Sequence, residues 1–412
     1  MKIVNFHHLG VPCLTKERIN SELFYDKKDI FYLNPEAIIR SEPDGAVITP
    51  PLLYSSFLSV DSEALAVLDK HSFSLEKLSV STVNLLLENK VILDTPPKPS
   101  HFRRLEAAVS GLPTQALFEV TSFCNCNCIG CYHWLDLGNN YPPLSDLIKR
   151  IIKLKNLGIS LFEVTGGEPF SRPDLSEVLN YINDSGMHFY VVTNGSYLAE
   201  SSSELLSVLR QGLGVAVSLD GVGATHDRVR RQNGLYAKII KGLDLMFKEG
   251  IKIYLVSTLN EENIDCAEEL VEVARKYQTT IHFRPTIRTG AAVINNLAPI
   301  DLKTRLKNLL GLPEVRNGLL STKKVIPQSK YYGCGLRKRI SIDSFGALYP
   351  CVMDRRQVLG NIDTYFPESL ILDLEKETRS FLAANRVCRD CDYNKNQIRC
   401  GGFCRFSNKY RS

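Results

Sequence analysis

From residue 116 onward, short and nearly continuous apolar runs alternate with amphipathic stretches. This alternation constrains the fold more than any other feature of the 412 residues. The runs are Ala116–Val120, Leu161–Val164, Phe189–Val192, Val215–Ser218, Ile253–Val256 and Ile281–Phe283. Between them, Leu144, Leu147, Ile148, Ile151 and Ile152 recur at helical spacing. Ile239, Ile240, Leu243 and Met246 do the same, as do Ala267, Leu270, Val271 and Ala274. Apolar strands without polar alternation, interleaved with such helices, belong to a parallel sheet covered by helices. Six strand–helix units predict an α/β fold, a partial (β/α)6 TIM barrel, with functional groups at the C-terminal strand ends.

Polar and glycine-rich signatures fall at those ends. Gly166-Gly167-Glu168-Pro169 follows the second strand, Thr193-Asn194-Gly195 the third, and Ser218-Leu219-Asp220-Gly221 closes the fourth. The first strand runs into Phe123-Cys124-Asn125-Cys126-Asn127-Cys128-Ile129-Gly130-Cys131-Tyr132, four cysteines within eight residues. Cys124, Cys128 and Cys131 form C-x3-C-x2-C, a spacing that lets three thiolates close over one iron–sulfur cube and leave its fourth iron open. A zinc site using all four is disfavoured, because C-x-C-x-C crowds a tetrahedral ion. Cys126 is expected to point away from a cluster.

Twelve cysteines, ten of them clustered, read as thiolate ligands in a reducing compartment rather than as disulfides. Cys13 and Cys266 stand alone and read as small incidental residues. No apolar run approaches the length of a membrane span, and the first eight residues lack a signal peptide's apolar stretch. A cytoplasmic protein with no membrane partner is expected. A net charge of +5 gives little case for nucleic acid.

Residues 1–95 read as a separate α+β domain. Ala37–Arg40 and Ala46–Thr49 flank Pro43-Asp44-Gly45, a hairpin signal. A strand at Phe57–Val60 leads into Asp61-Ser62-Glu63, a helix start, and helices are expected at 64–68, 74–78 and 81–90. Three strands followed by three helices make a winged-helix-like plan. Its last helix carries only Lys90 as a cation, opposed by Glu88, which suits a peptide added as a β-strand better than DNA. Residues 96–114, opening with Pro96-Pro97-Lys98-Pro99-Ser100, read as a linker. The barrel takes 115–315 and a cysteine-rich domain 316–412.

Together, the cysteine spacing, Gly-Gly-Glu-Pro and the fourth-strand Ser-x-Asp-Gly resemble the radical S-adenosylmethionine (SAM) superfamily, over roughly residues 117–284. The resemblance implies that Cys124, Cys128 and Cys131 hold a [4Fe–4S] cluster whose open iron binds SAM. It implies SAM contacts from Gly166, Gly167, Glu168, Pro169, Asn194, Ser218 and Asp220. Glu168 is left to fix either the strand end or the SAM ammonium. Arg230, in His226-Asp227-Arg228-Val229-Arg230, meets either the SAM carboxylate or a structural partner. Residues 1–95 resemble the peptide-recognition domains of enzymes that modify ribosomally made peptides.

Cys334, Cys351, Cys388, Cys391, Cys400 and Cys404 remain. Taken alone, C-x2-C-x8-C-x3-C could be a zinc knuckle. Beside the barrel, with C-x11-G-x4-C ahead of it, it resembles the SPASM extension, which carries one or two auxiliary [4Fe–4S] clusters. By that resemblance Cys334, Cys351 and Cys404 share one cluster, and Cys388, Cys391 and Cys400 the other. Arg337, Lys338, Arg339, Arg355 and Arg356 offset cluster charge or form a solvated face.

The expected protein is a peptide maturase that uses a 5′-deoxyadenosyl radical to install a crosslink or similar oxidative change. Its expected partners are a leader-bearing precursor peptide and a one-electron donor such as flavodoxin or ferredoxin. Sulfatase-maturase-like or tetrapyrrole-type small-molecule chemistry are alternatives. A non-catalytic iron–sulfur or zinc-stabilised regulatory protein is the alternative from another class.

Overall fold

A computed structural model describes residues 3–6, 30–43, 45–52, 57–68, 70, 72–74, 80–98, 103–106, 112–133, 136–298, 300–315, 332–333, 339–353, 355, 357–364, 369–370, 372–374, 376 and 400–402. Cys13, Cys334, Cys388, Cys391 and Cys404, and the basic residues Arg337, Lys338 and Arg356, lie outside them.

Three sheets matter for the site. The first five strands are β1 (Ile3–Phe6), β2 (Ile30–Leu33), β3 (Ile38–Glu42), β4 (Gly45–Thr49) and β5 (Phe57–Asp61), followed by helix α1 (Ser62–Leu68). Then come β6 (Ser72–Ser74), α2 (Val80–Glu88), β7 (Ile92–Leu93) and β8 (Arg103–Glu106). One sheet runs β1-β5-β4-β3-β8 and a small one β6-β2-β7. The β3–β4 hairpin forms where the turn residues are, because a side chain at Gly45 would lie 2.1 Å from the Val60 carbonyl oxygen. Asp61 caps α1 by accepting from the Ala64 amide at 2.9 Å.

Two expectations change here. Ser74 sits in β6 rather than opening a helix, since Ser72-Phe73-Ser74 pairs antiparallel with β2; residues 75–78 lie outside the described set. Residues 103–106, expected as linker, pair in parallel with β3 and belong to the first sheet.

The barrel follows the expected alternation. Its strands are β9 (Gln115–Glu119), β10 (Leu161–Thr165), β11 (His188–Thr193), β12 (Val215–Ser218), β13 (Ile253–Leu259) and β14 (Ile281–Pro285), all parallel. Between them run α3 (Leu144–Asn156), α4 (Leu175–Asp184), α5 (Ser203–Gln211), α6 (Ala224–Arg230), α7 (Leu235–Lys248) and α8 (Ala267–Lys276), with α9 (Ala291–Ile294) after β14. Ala116, Phe118, Phe162, Val164, Phe189 and Val191 share one buried cluster with helix residues such as Leu147, Val178 and Leu243. By strand alternation, Gln115, Glu119, Glu163 and Tyr190 then face the barrel interior.

The sheet does not stop at six strands. A strand at Arg339–Ile342 pairs in parallel with β9, and a hairpin at Ala347–Tyr349 and Gly360–Asn361 extends the sheet to nine. Part of the region expected as a separate C-terminal domain therefore continues the barrel. This shifts the buried face of α3: Arg150 is buried and donates to the Ser344 carbonyl at 2.9 Å, while Ile152 is 40% exposed.

The N-terminal sheet seats on the opposite, N-terminal end of the strands. Arg40 is fully buried, donating to the carbonyls of Pro113 (2.8 Å), Gly158 (3.1 Å) and Leu112 (3.1 Å) and pairing with Glu42. Val47 packs with Leu161, Tyr190, Ala216 and Val256 inside the barrel floor. His188, 4% exposed, sits at the seam with its Nε2 at 2.8 Å from the Glu36 carbonyl and its Nδ1 at 3.3 Å from Arg103. Burial, then the Arg103 charge, pushes its pKa down to about 3. A base depressed in the folded state stabilises fully above its unfolded pKa of roughly 6.5 and loses that stability as pH falls toward 3. The slope in that window is about 1.4 kcal/mol per pH unit. Acidification from pH 7 to 5 should therefore lower the amide protection factors around residues 34–38, with exchange corrected for its intrinsic pH dependence, and His188→Asn should flatten that fall.

Candidate active site

The site begins where β9 ends. After Val120 the chain crosses the end of β10, with Val120 N donating to Thr165 O (2.9 Å), Gly167 N to Thr121 O (2.9 Å) and Glu168 N to Phe123 O (2.6 Å). A side chain on Gly166 would stand 2.3 Å from Thr121 O, and one on Gly167 2.1 Å from Phe123 O. The close backbone approach those glycines allow is that of the cysteine loop itself.

Glu168 is 0% exposed, and its oxygens are taken by the chain. Oε1 accepts from the Phe170 amide (3.0 Å) and Thr193 Oγ1 (2.6 Å), and Oε2 from the Asn194 amide (2.7 Å). It fixes the strand ends. Burial pushes its carboxyl up to about 7, against the pull of those three donors. Pro169 opens a short 3-10 turn, Pro169–Ser171, capped by Glu168. Glu168→Gln must turn an NH2 donor toward one of the three donors. It should cost roughly 1–3 kcal/mol, read as an earlier denaturation midpoint and poorer iron retention.

The far side of the loop rests on later elements. Ile129 N donates to Val229 O at the end of α6 (3.0 Å), Ala291 N to Cys131 O (2.8 Å) and Asn295 Nδ2 to Ile129 O (2.9 Å). Cys124, Cys128 and Cys131 are partly exposed, whereas Cys126 is buried. Asn194 Nδ2 lies 3.7 Å from the Cys124 sulfur and 3.3 Å from that of Cys126. Arg230 approaches Cys128 at 3.5 Å and pairs with Asp220 at 2.6 Å. Asp220 also accepts from the Thr258 amide at 2.7 Å, and its own amide donates to His226 Nδ1 at 3.0 Å. Arg230 thus has a structural partner in Asp220. Ser218 ends β12 on the same rim, half-buried.

Cys126 has a partner of its own. Its thiol donates to Gln232 Oε1 at 3.0 Å, and its amide donates to the Cys124 sulfur at 3.5 Å. The hydrogen bond from Cys126 is the largest effect holding Cys124 below the usual thiol range. The neighbouring Cys126 thiol, then the Arg230 charge, brings Cys128 down to about 6. Burial pushes Cys131 up to about 12. Two thiols biased toward thiolate, beside a fixed guanidinium, suit soft anionic ligation of a cluster. Among the described residues, no three His, Cys, Asp or Glu side chains stand close enough together for one metal ion.

Asn125, Gln232 and Arg172 were not singled out from the sequence. Arg172 ties β9 to the loop after it, through Val120 O (2.9 Å) and Pro142 O (3.0 Å). Its signal is one arginine within three residues of Gly-Gly-Glu-Pro, too common a pattern to select it. Of the C-terminal cysteines, Cys351 is partly exposed in the segment after the hairpin strand Ala347–Tyr349. Cys400 opens a strand, Cys400–Gly402, paired in parallel with Tyr332–Gly333. Arg339 and Arg355 do not lie on a solvated face. They pair with Glu163 and Glu119 on β10 and β9.

A cysteine loop seated on the second strand's glycines is ringed by the third and fourth strand ends. Residues 118–274 match the Radical SAM superfamily. The chain resembles the peptide-maturing members. It is 27% identical over 301 residues to the antilisterial bacteriocin subtilosin biosynthesis protein AlbA of Bacillus subtilis, a match covering 68% of this chain and 65% of AlbA. It is 28% identical over 178 residues to the AdoMet-dependent heme synthase of Methanosarcina barkeri, covering 41% of this chain and 49% of that one. The fold is similar to that of Streptococcus suis SuiB bound to SAM, with a TM-score of 0.65 and 13% identity over 90% of this chain and 95% of SuiB. Among the described residues no helix is long and apolar enough to cross a membrane.

Proposed function

We propose that the chain is a radical SAM enzyme that matures a ribosomally made peptide, removing hydrogen and then an electron to leave a crosslink or similar oxidative change. The observation that carries this reading is the extent of the likeness. The AlbA match runs well beyond the barrel, and the SuiB fold likeness covers 90% of the chain. The heme synthase match covers 41%, which supports shared radical chemistry more than a shared substrate. SuiB has also been solved bound to its precursor peptide SuiA.

Cys124, Cys128 and Cys131 would hold the cluster, with Asn194, Ser218 and the Asp220–Arg230 pair lining the SAM side. Bound there, the cluster and SAM supply one-electron cleavage to a 5′-deoxyadenosyl radical. The chain's own part is to hold three thiols on a rigid rim and keep Arg230 beside Cys128. Residues 1–95 would bind the leader at the edge of the β6-β2-β7 sheet. The six C-terminal cysteines would hold one or two auxiliary clusters. Flavodoxin or ferredoxin in the cytoplasm would supply the first electron.

Deleting residues 1–95 is a poor test, because Arg40 and Val47 close the barrel floor. A better one uses the short precursor peptide that this reading expects to be encoded beside the gene. Reconstituted enzyme should convert it to a product lighter by two hydrogens, and a photo-crosslinking leader should label residues 70–74 or 80–93. Labelling confined to the barrel mouth would refute the leader site, and an unchanged peptide mass the maturase reading.

A further inference from the structure

Glu119 is the last residue of β9, 1% exposed, on the interior side of the strand. It is a carboxylate inside an apolar run, and the SAM site described above does not use it. Its Oε1 accepts from His133 Nε2 at 2.5 Å and also pairs with the Arg355 guanidinium. His133 lies two residues after Cys131, and Arg355 four after Cys351. One buried oxygen therefore holds both cysteine-bearing segments, neither of which is in a helix or strand at that point.

Other contacts run across the same gap. Arg355 lies 3.6 Å from Asp136, whose amide donates to His133 O at 2.9 Å. Its guanidinium carbon is 5.2 Å from the centre of the Tyr349 ring. Glu119 Oε2, His133 Nδ1 and Arg355 Nε have no hydrogen-bond partner among the described residues. The joint thus depends heavily on Glu119 Oε1. A charge-assisted pair in a dry interior is geometrically demanding, and loss of one partner leaves the other uncompensated.

We propose that Glu119 is a positioning residue that, through His133 and Arg355, fixes the Cys351 segment against the Cys131 loop and so sets the separation of two iron–sulfur sites. The last clause rests on the reading above, in which Cys351 ligates an auxiliary cluster. The device needs an acceptor shared by two donors on different segments, which a glutamine of the same shape cannot supply with charge.

The test uses the full reconstituted chain. Amide exchange across 349–355 should be at least tenfold faster in both Glu119→Gln and Arg355→Ala. The double variant should be no faster than either single, because both remove one joint. Arg355→Lys, which keeps the charge, should recover part of the protection. The magnetic interaction between the two reduced clusters should weaken or change in the same variants. Wild-type exchange in both single variants overturns the proposal, whatever happens to peptide turnover. So does a double variant whose effect is the sum of the singles. Iron content separates the underlying reading: Cys351→Ala with undiminished iron removes the auxiliary cluster from that segment, while the exchange result still judges the joint.

Discussion

Gly167→Ala should leave the protein folded but unable to retain iron at the cysteine loop, with 5′-deoxyadenosine formation down by at least tenfold. The added methyl would stand 2.1 Å from Phe123 O and 2.8 Å from Cys124 N. Those are backbone atoms, so no side chain can swing aside. The loop must lift, and lifting breaks the 2.6 Å bond from Glu168 N to Phe123 O just before the first ligand. Overpacking of this kind typically costs about 1–3 kcal/mol, and here it falls on three thiols that must converge on one cluster. Iron and sulfide counted per chain after reconstitution check it. Gly186→Ala is the control, since nothing lies within 4 Å of its added carbon, although its φ of +83° carries its own strain.

Arg40→Ala should produce the largest loss of stability, on the order of 3–5 kcal/mol. Its guanidinium joins the N-terminal sheet to the carbonyls of Leu112, Pro113 and Gly158 on the barrel floor. Truncation strips three buried carbonyls of a charged donor and leaves Glu42, 10% exposed, without its partner. A typical domain's whole stability is about 5–15 kcal/mol, so the effect should dominate. Urea unfolding followed by tryptophan fluorescence and by proteolysis of residues 30–50 would show the N-terminal region released first. Arg40→Lys should recover only part, since an ammonium cannot span acceptors arranged for a planar fork.

Neither residue looked important in the sequence for the reason it is. Gly166 and Gly167 stood out, but as places for a ligand to approach, because a sequence does not say which backbone passes over a glycine. Arg40 sits in Ile38-Ile39-Arg40, where alternation suggests an outward, solvated side chain. It faces outward from its own sheet, and the barrel lies there. The six barrel strands were legible because burial on both faces writes itself as uninterrupted apolar runs. β8 was not, because Arg103-Arg104-Leu105-Glu106 buries only Leu105 and pairs with a strand some sixty residues earlier. The short β2, β6 and β7 have too few residues to show a period.

The cysteine loop was the most legible part of the site, since ligand spacing is local. The partner of Cys126 was not legible, because its hydrogen bond to Gln232 crosses 106 residues of chain. Glu119 could have been found. A carboxylate within an apolar strand, next to a ligand loop, needs buried partners, and the partners lay in the loop and near Cys351.

The central claim is that the loop of Cys124, Cys128 and Cys131 supports radical cleavage of SAM. Protein reconstituted with iron and sulfide, reduced with dithionite and given SAM should form 5′-deoxyadenosine and methionine. Cys128→Ala should form none. Undiminished 5′-deoxyadenosine from Cys128→Ala, or none from iron-replete wild-type protein, would contradict it.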